Sequence, residues 1–216
     1  MSYMIVLDTE FTGDDVLRNA MIELGAVLIK NSTSQIIDFK NFVINIPPGR
    51  IWNSTTRNWM LQSQPTIELV EQIDKNEGID LIDAMNQFVI FIKNCYQITN
   101  GDIIIGSDHI GIDNSWISVY LSIAGYLPLH KLFGTIDHQI DISSYHQGCA
   151  RITHQQVKKW NKENDYKFSS NIAVLNYFNV KKPKIKYSHR AWMDAKFTAI
   201  IHSKILKTIE NYWKRR

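Results

Sequence analysis

Residues 4–7 are an unbroken apolar run, Met-Ile-Val-Leu, that stops at Asp8-Thr9-Glu10 and passes through Phe11-Thr12-Gly13 into Asp14-Asp15. A short apolar run closed by a glycine-bearing turn predicts a buried strand. Side chains two apart on a strand share a face, so Asp8 and Glu10 converge at the strand's end. Paired carboxylates repel unless a cation lies between them, and a hard ion such as Mg²⁺ or Mn²⁺ suits oxygen ligands. A solvated strand end also tolerates such a pair, so the pair alone leaves both readings open.

The rest of the chain can be arranged around that strand. Residues 22–30 and 36–45 are rich in Ile, Val and Phe and are separated by polar Asn31-Ser32-Thr33-Ser34, which together with the first strand predicts an antiparallel three-strand meander. Residues 53–63 and 65–75 read as short helices, and residues 80–96 as a core-facing helix with Leu81, Ala84, Met85, Phe88, Phe91 and Ile92 on one face. Ile103-Ile104-Ile105 predicts a short buried parallel strand, residues 114–124 a helix stopped by Gly125, and residues 136–142 a last strand. From Ser188, read as an N-cap, a final helix carries Met193, Phe197, Ile201 and Ile205 at helical spacing. Strands first, then alternating helices and strands, predict one α/β domain over residues 1–216, with a mixed central sheet flanked by helices.

With 216 residues, 44% of them hydrophobic and 21% charged, the chain can bury a core without disulfides. Cys95 and Cys149 are far apart and in no metal-ligand spacing, which points to a reducing compartment. No apolar stretch reaches the roughly 18 residues that span a bilayer, and the N-terminus runs into a strand rather than a signal peptide. The expectation is a soluble, cytoplasmic protein with no membrane partner. The net charge of +3 conceals an asymmetry: residues 1–150 carry 8 Lys and Arg against 17 Asp and Glu, net −9, and residues 151–216 carry 16 against 4, net +12. A basic final third on an acidic body predicts either a polyanion partner or a solvated Lys-rich surface. His130, His138, His146 and His154 recur every eight residues, a spacing that matches no helical metal site.

Three further segments bring in a resemblance. Val6-Leu7-Asp8-Thr9-Glu10-Phe11-Thr12-Gly13 resembles the first motif of the DEDDh exonucleases, the DnaQ-like and RNase T-like family, in which an Asp-x-Glu ends the first strand. Ile110-Gly111-Ile112-Asp113 resembles the second, whose Asp opens a helix, with Asp108 in Gly106-Ser107-Asp108-His109 as a rival. His189-Arg190-Ala191-Trp192-Met193-Asp194-Ala195 resembles the third, His-x4-Asp, on the final helix. The three arrive in the family's order and span most of the chain. Thr56-Arg57-Asn58-Trp59-Met60-Leu61-Gln62-Ser63 is similar to a T-x-x-W-x-x-Q-S segment of the exonuclease VIII and phage exonuclease A branch, although Ile140 and Ser143 stand beside Asp141 where that branch has arginines.

What the resemblance implies is an RNase H-like fold and a metal-dependent 3′→5′ exonuclease acting on single-stranded nucleic acid, RNA or DNA. Asp8 would bridge two divalent cations, Glu10 and Asp194 would complete the nucleophile-side ion, and Asp113 would hold the other. His189 would take the proton from the attacking water, a role that suits an imidazole, whose unperturbed pKa is about 6.5. Phe11, Thr12 and Gly13 would meet the terminal nucleotide, with Gly13 allowing close approach, and Trp59 reads as a core, lid or base-stacking aromatic. Lys158, Lys159, Lys162 and the Lys181-Lys182-Pro183-Lys184 run, just before motif III, are candidates to guide the strand's phosphates. The rival reading is an inactive nucleic-acid-binding or scaffolding module on the same sheet. Monomer and dimer are both open.

Overall fold

The computed structural model describes residues 2–132, 139–142, 144–145 and 189–214. The first strand, β1 (Tyr3–Phe11), pairs antiparallel with β2 (Met21–Lys30), which pairs antiparallel with β3 (Gln35–Val43). On its other side β1 pairs in parallel with β4 (Ile103–Ser107), which pairs in parallel with β5 (Gln139–Asp141). The five-stranded order is therefore β3-β2-β1-β4-β5, a mixed sheet whose antiparallel half is the meander expected from sequence. Residues 136–138 of the expected last strand lie outside the described residues, as do Cys149, His138, His146, His154, Ser188 and the basic residues Lys158, Lys159, Lys162 and 181–184.

Helices α1 (Ser54–Met60), α2 (Gln64–Asp74), α3 (Leu81–Ile98), α4 (Ile110–Ile123) and α5 (Ala191–Lys214) cover the sheet. Local chemistry sets several of their ends. The Asn53 side chain accepts from the N–H groups of Thr55 and Thr56 at the start of α1, and the Asp80 side chain accepts from Ile82 N at the start of α3; each satisfies amides that a helix's first turn leaves unpaired. Asn100 and Gly101, both at positive φ, turn the chain from α3 into β4.

Strand alternation sorts the core into two sides. Odd residues of β1, Ile5 and Leu7, pack with Leu24, Ala26 and Leu28 of β2 against α3 and α4, around Phe88, Trp116 and Tyr120. Even residues, Met4 and Val6, pack with Val27, Ile29 and Ile104 against α5. Asp8 and Glu10 continue the even series, and so end on the side that α5 covers.

Two expectations need correction. Helix α4 begins at Ile110 rather than 114, so Asp113 lies within its first turn, its N–H bonded to the His109 carbonyl. In α5 the residues wholly buried against the sheet are Ala191, Ala195 and Ala199, joined further along by Ile201 and Ile205, whereas Met193 and Phe197 are only half-buried. Large side chains carry the periodic signal, yet the small ones let the helix axis lie close to the strands. Ser203 fastens the far part of α5 by donating to the Asn31 carbonyl at 2.8 Å.

Candidate active site

Asp8 and Glu10 leave the end of β1 on the α5 side, both half-buried. Motif III reaches them from the opposite direction, but His189 is not on the helix: it precedes α5 with a left-handed φ of 64°. Its backbone N–H donates to Asp194 Oδ2 at 2.7 Å. This contact folds the motif back so that ligand atoms of Glu10, His189 and Asp194 all come within 4.8 Å of one another. Asp113 approaches from α4; it is buried, and accepts from the Thr9 hydroxyl at 2.6 Å.

The electrostatics describe a site crowded with negative charge. Burial, reinforced by the charges of Asp113, Glu10, Asp194 and Glu23, pushes Asp8 well above the usual carboxylate range. Burial and then Glu23, Asp194 and Asp113 push Glu10 up to about 8, with Arg190 opposing. Burial also raises Asp113 against the hydrogen bond from Thr9, and Asp194 against that from His189 N–H. Asp113 therefore joins the carboxylate group, its charge felt at both Asp8 and Glu10, while Asp108 sits in the turn before α4. Hard oxygen ligands and one imidazole, with carboxyls raised by one another, fit a divalent cation, because a cation would relieve the repulsion and restore the carboxylates.

The residues around this group occupy places the sequence did not predict. Thr12 is wholly buried: its N–H donates to the Ala20 carbonyl at 2.7 Å, its hydroxyl donates to the Ile51 carbonyl at 2.8 Å, and its carbonyl accepts from Asn53 N at 2.8 Å. A Cβ on Gly13 would come within 2.7 Å of Asn19 and Asn53, so this glycine is required by its protein neighbours. Phe11 stacks on Trp116 with centroids 5.3 Å apart. Because Asn53 ties α1 to the end of β1, Trp59 stands over the site, 45% exposed, its ring edge-on to His189 at 4.8 Å.

Glu23 escaped the sequence reading. It is the cross-strand partner of Glu10 and has no exposed surface, yet it is an acid in the middle of an otherwise apolar strand. Its carboxylate accepts from Arg190 Nε (2.9 and 3.1 Å) and NH2 (2.7 Å), from Asn41 Nδ2 (2.9 Å) and from Ala191 N (2.8 Å). The clue in the sequence was the acid itself, since a buried charge requires a partner.

A central mixed sheet with an antiparallel meander and helices on both sides is the RNase H-like fold. Among solved structures the chain is similar to E. coli exonuclease I in complex with a dT13 oligonucleotide, with TM-score 0.68 at 12% identity over 100% of this chain and 43% of that one. It is similar to exonuclease I from Methylocaldum szegediense, with TM-score 0.66 at 12% identity over 100% and 44%. It is also similar to the nuclease domain of 3′hExo, a DEDDh family member, bound to rAMP, with TM-score 0.61 at 14% identity over 95% and 92%. The chain thus spans under half the length of the exonuclease I proteins and nearly all of the 3′hExo domain. No family model and no curated protein sequence matches it. No helix among the described residues is long and apolar enough to cross a membrane.

Proposed function

We propose that this chain is a single-domain, metal-dependent 3′→5′ exonuclease of the DEDDh type that shortens single-stranded RNA or DNA to nucleoside 5′-monophosphates. The observation that carries the reading is the convergence of Glu10, His189 and Asp194 ligand atoms within 4.8 Å, with Asp8 and Asp113 adding their charge to the same group. Asp8, Glu10, Asp113 and Asp194 would hold two divalent cations, Mg²⁺ or Mn²⁺, which supply charge stabilisation of the attacking and leaving oxygens. The protein's own part is clear in outline. His189 accepts the proton of the attacking water. Asp194 fixes the His189 backbone while also offering a carboxylate oxygen to the group. Trp59 limits the swing of the imidazole and offers a ring face to the terminal base. The α1 segment that carries Trp59 supports placement beside exonuclease VIII and phage exonuclease A.

The test is digestion of 5′-labelled single-stranded RNA and DNA in Mg²⁺, Mn²⁺ and chelator. A ladder of products shortened from the 3′ end in metal, and intact strands in chelator, is expected. Internal cleavage, or equal digestion in chelator, would overturn the reading.

A further inference from the structure

Two residues of β2 shape the site although no motif includes them. In the β1–β2 register Glu23 faces Glu10 and Gly25 faces Asp8. Gly25 meets the start of α5 so closely that a Cβ would lie 2.4 Å from the backbone of Ala191 and Trp192. Real Cβ atoms do not approach backbone that closely, so the first turn of α5 rests on bare strand at this point. Two residues along β2, Glu23 receives the Ala191 N–H and the guanidinium fork of Arg190. Arg190 lies between His189 and the first helical residue. The buried fork and the bare glycine therefore fix both the height and the rotation of the segment that carries His189 and Asp194.

We infer that Glu23, Gly25 and Arg190 are positioning residues: they form a seat on β2 that holds the helix-borne half of the site, His189 and Asp194, against the strand-borne half, Asp8 and Glu10. The inference rests on the function proposed above for those four residues. An ion pair buried for stability alone could be exchanged for neutral groups of similar shape at little cost, often with a gain. A pair that sets geometry cannot, because an amide and a thioether make no fork. Lysine at 190 would keep the charge but lose the bidentate geometry.

The decisive variant is the double exchange Glu23→Gln/Arg190→Met, which leaves no unpaired charge and keeps an acceptor for Ala191 N–H. Three readouts are taken, with amide hydrogen exchange as a fourth: thermal melting in chelator, Mn²⁺ affinity by calorimetry, and kcat and KM. The seat predicts a melting temperature close to wild type, with Mn²⁺ affinity and kcat each lower by about 10- to 100-fold and KM little changed. Amide hydrogen exchange should also quicken at His189 and Ala191 while the middle of α5 stays protected, a readout that needs no activity. Arg190→Lys should fall between the two proteins. A folded double variant whose Mn²⁺ affinity, kcat and amide protection all match wild type would overturn the inference and leave the proposed function standing. A wild-type protein with no metal-dependent digestion would instead overturn the proposed function, and the exchange measurement would still judge the seat. If the double variant does not fold, Arg190→Lys and Gly25→Ala carry the same three readouts, with wild-type values again the overturning result.

Discussion

The backbone N–H of His189 donates to the side chain of Asp194, five residues on, across 2.7 Å, and so holds His189 at a left-handed φ of 64°. A non-glycine residue in that region persists only where its surroundings fix it. Asp194 thus has a structural task beside the chemical one proposed for it. Asp194→Asn and Asp194→Ala both remove the charge and should both abolish digestion, but only Asn keeps an acceptor for the His189 N–H. Urea denaturation in chelator should find the Ala variant less stable than the Asn variant by about 1 kcal/mol, the usual worth of a side-chain cap; equal stabilities would deny the contact any role.

The raised carboxyls make metal-free stability depend on pH. Glu10 titrates near 8 in the folded protein against an ordinary value of 4.5. A carboxyl raised on folding contributes stability that is complete below its unfolded pKa and is lost as pH rises through the folded one. In chelator the melting temperature should therefore fall between about pH 5 and pH 8, and Mg²⁺ or Mn²⁺ should restore it most at the upper end. Glu10→Gln or Asp8→Asn should flatten that decline, raise the chelator melting temperature at pH 8, and abolish turnover. A variant that melts lower than wild type at pH 8 in chelator would show that repulsion is not what the cluster stores.

His189 stands close enough to Glu10 and Asp194 to serve as ligand or as base. As a base, its replacement by Ala should lower turnover by roughly 10²–10⁴-fold and remove the acidic limb of the pH–rate profile. Mn²⁺ affinity should stay near wild type. Calorimetry showing that metal binding collapses in His189→Ala would reassign the imidazole to the metal.

The Trp59 ring meets that of His189 at 78° with centroids 4.8 Å apart, and the residue is 45% exposed. If the exposed part of the ring receives the terminal base, Trp59→Ala should weaken binding of a short single strand by about 1–3 kcal/mol, and Trp59→Phe should retain most of the affinity. Titration of a labelled oligonucleotide into the Asp194→Asn background measures it. An affinity unchanged in Trp59→Ala would confine the residue to its contact with His189.

The basic stretch before motif III carries the remaining prediction. On a single strand each phosphate neutralised contributes about −0.7 to the slope of log affinity against log salt. Replacing Lys158, Lys159 and Lys162 by Ala should make that slope shallower by about 2 and spare the rate at saturating substrate. A slope that does not change would send the strand along another path.

Much of the site was legible because its chemistry follows backbone periods. Asp8 and Glu10 share a face by the two-residue repeat of a strand, and the meander followed from polar Asn31-Ser32-Thr33-Ser34 between two apolar runs. What stayed hidden depends on contacts far apart in the chain. Glu23 reads as a stray acid until Arg190, 167 positions later, lies on it. Gly25 looks like any strand glycine until the backbone of Ala191 occupies the space of its missing Cβ. Gly13 likewise gives no sign in the sequence that Asn19 and Asn53 crowd the space its Cβ would take. Periodicity also misdirected the reading of α5, because hydrophobic size marks a helix face strongly while the alanines that meet the sheet carry little signal.

The docking of α5 also has a consequence in time. Glu23 waits 168 positions for the Ala191 amide, so a ribosome making this protein extrudes β1 and β2 well before the helix that brings the other half of the candidate site. Until α5 has emerged and settled on β2, the nascent chain holds Asp8, Glu10 and Glu23 without His189, Arg190 and Asp194 to face them. Any chemistry that needs both halves of the site therefore waits for the synthesis of α5.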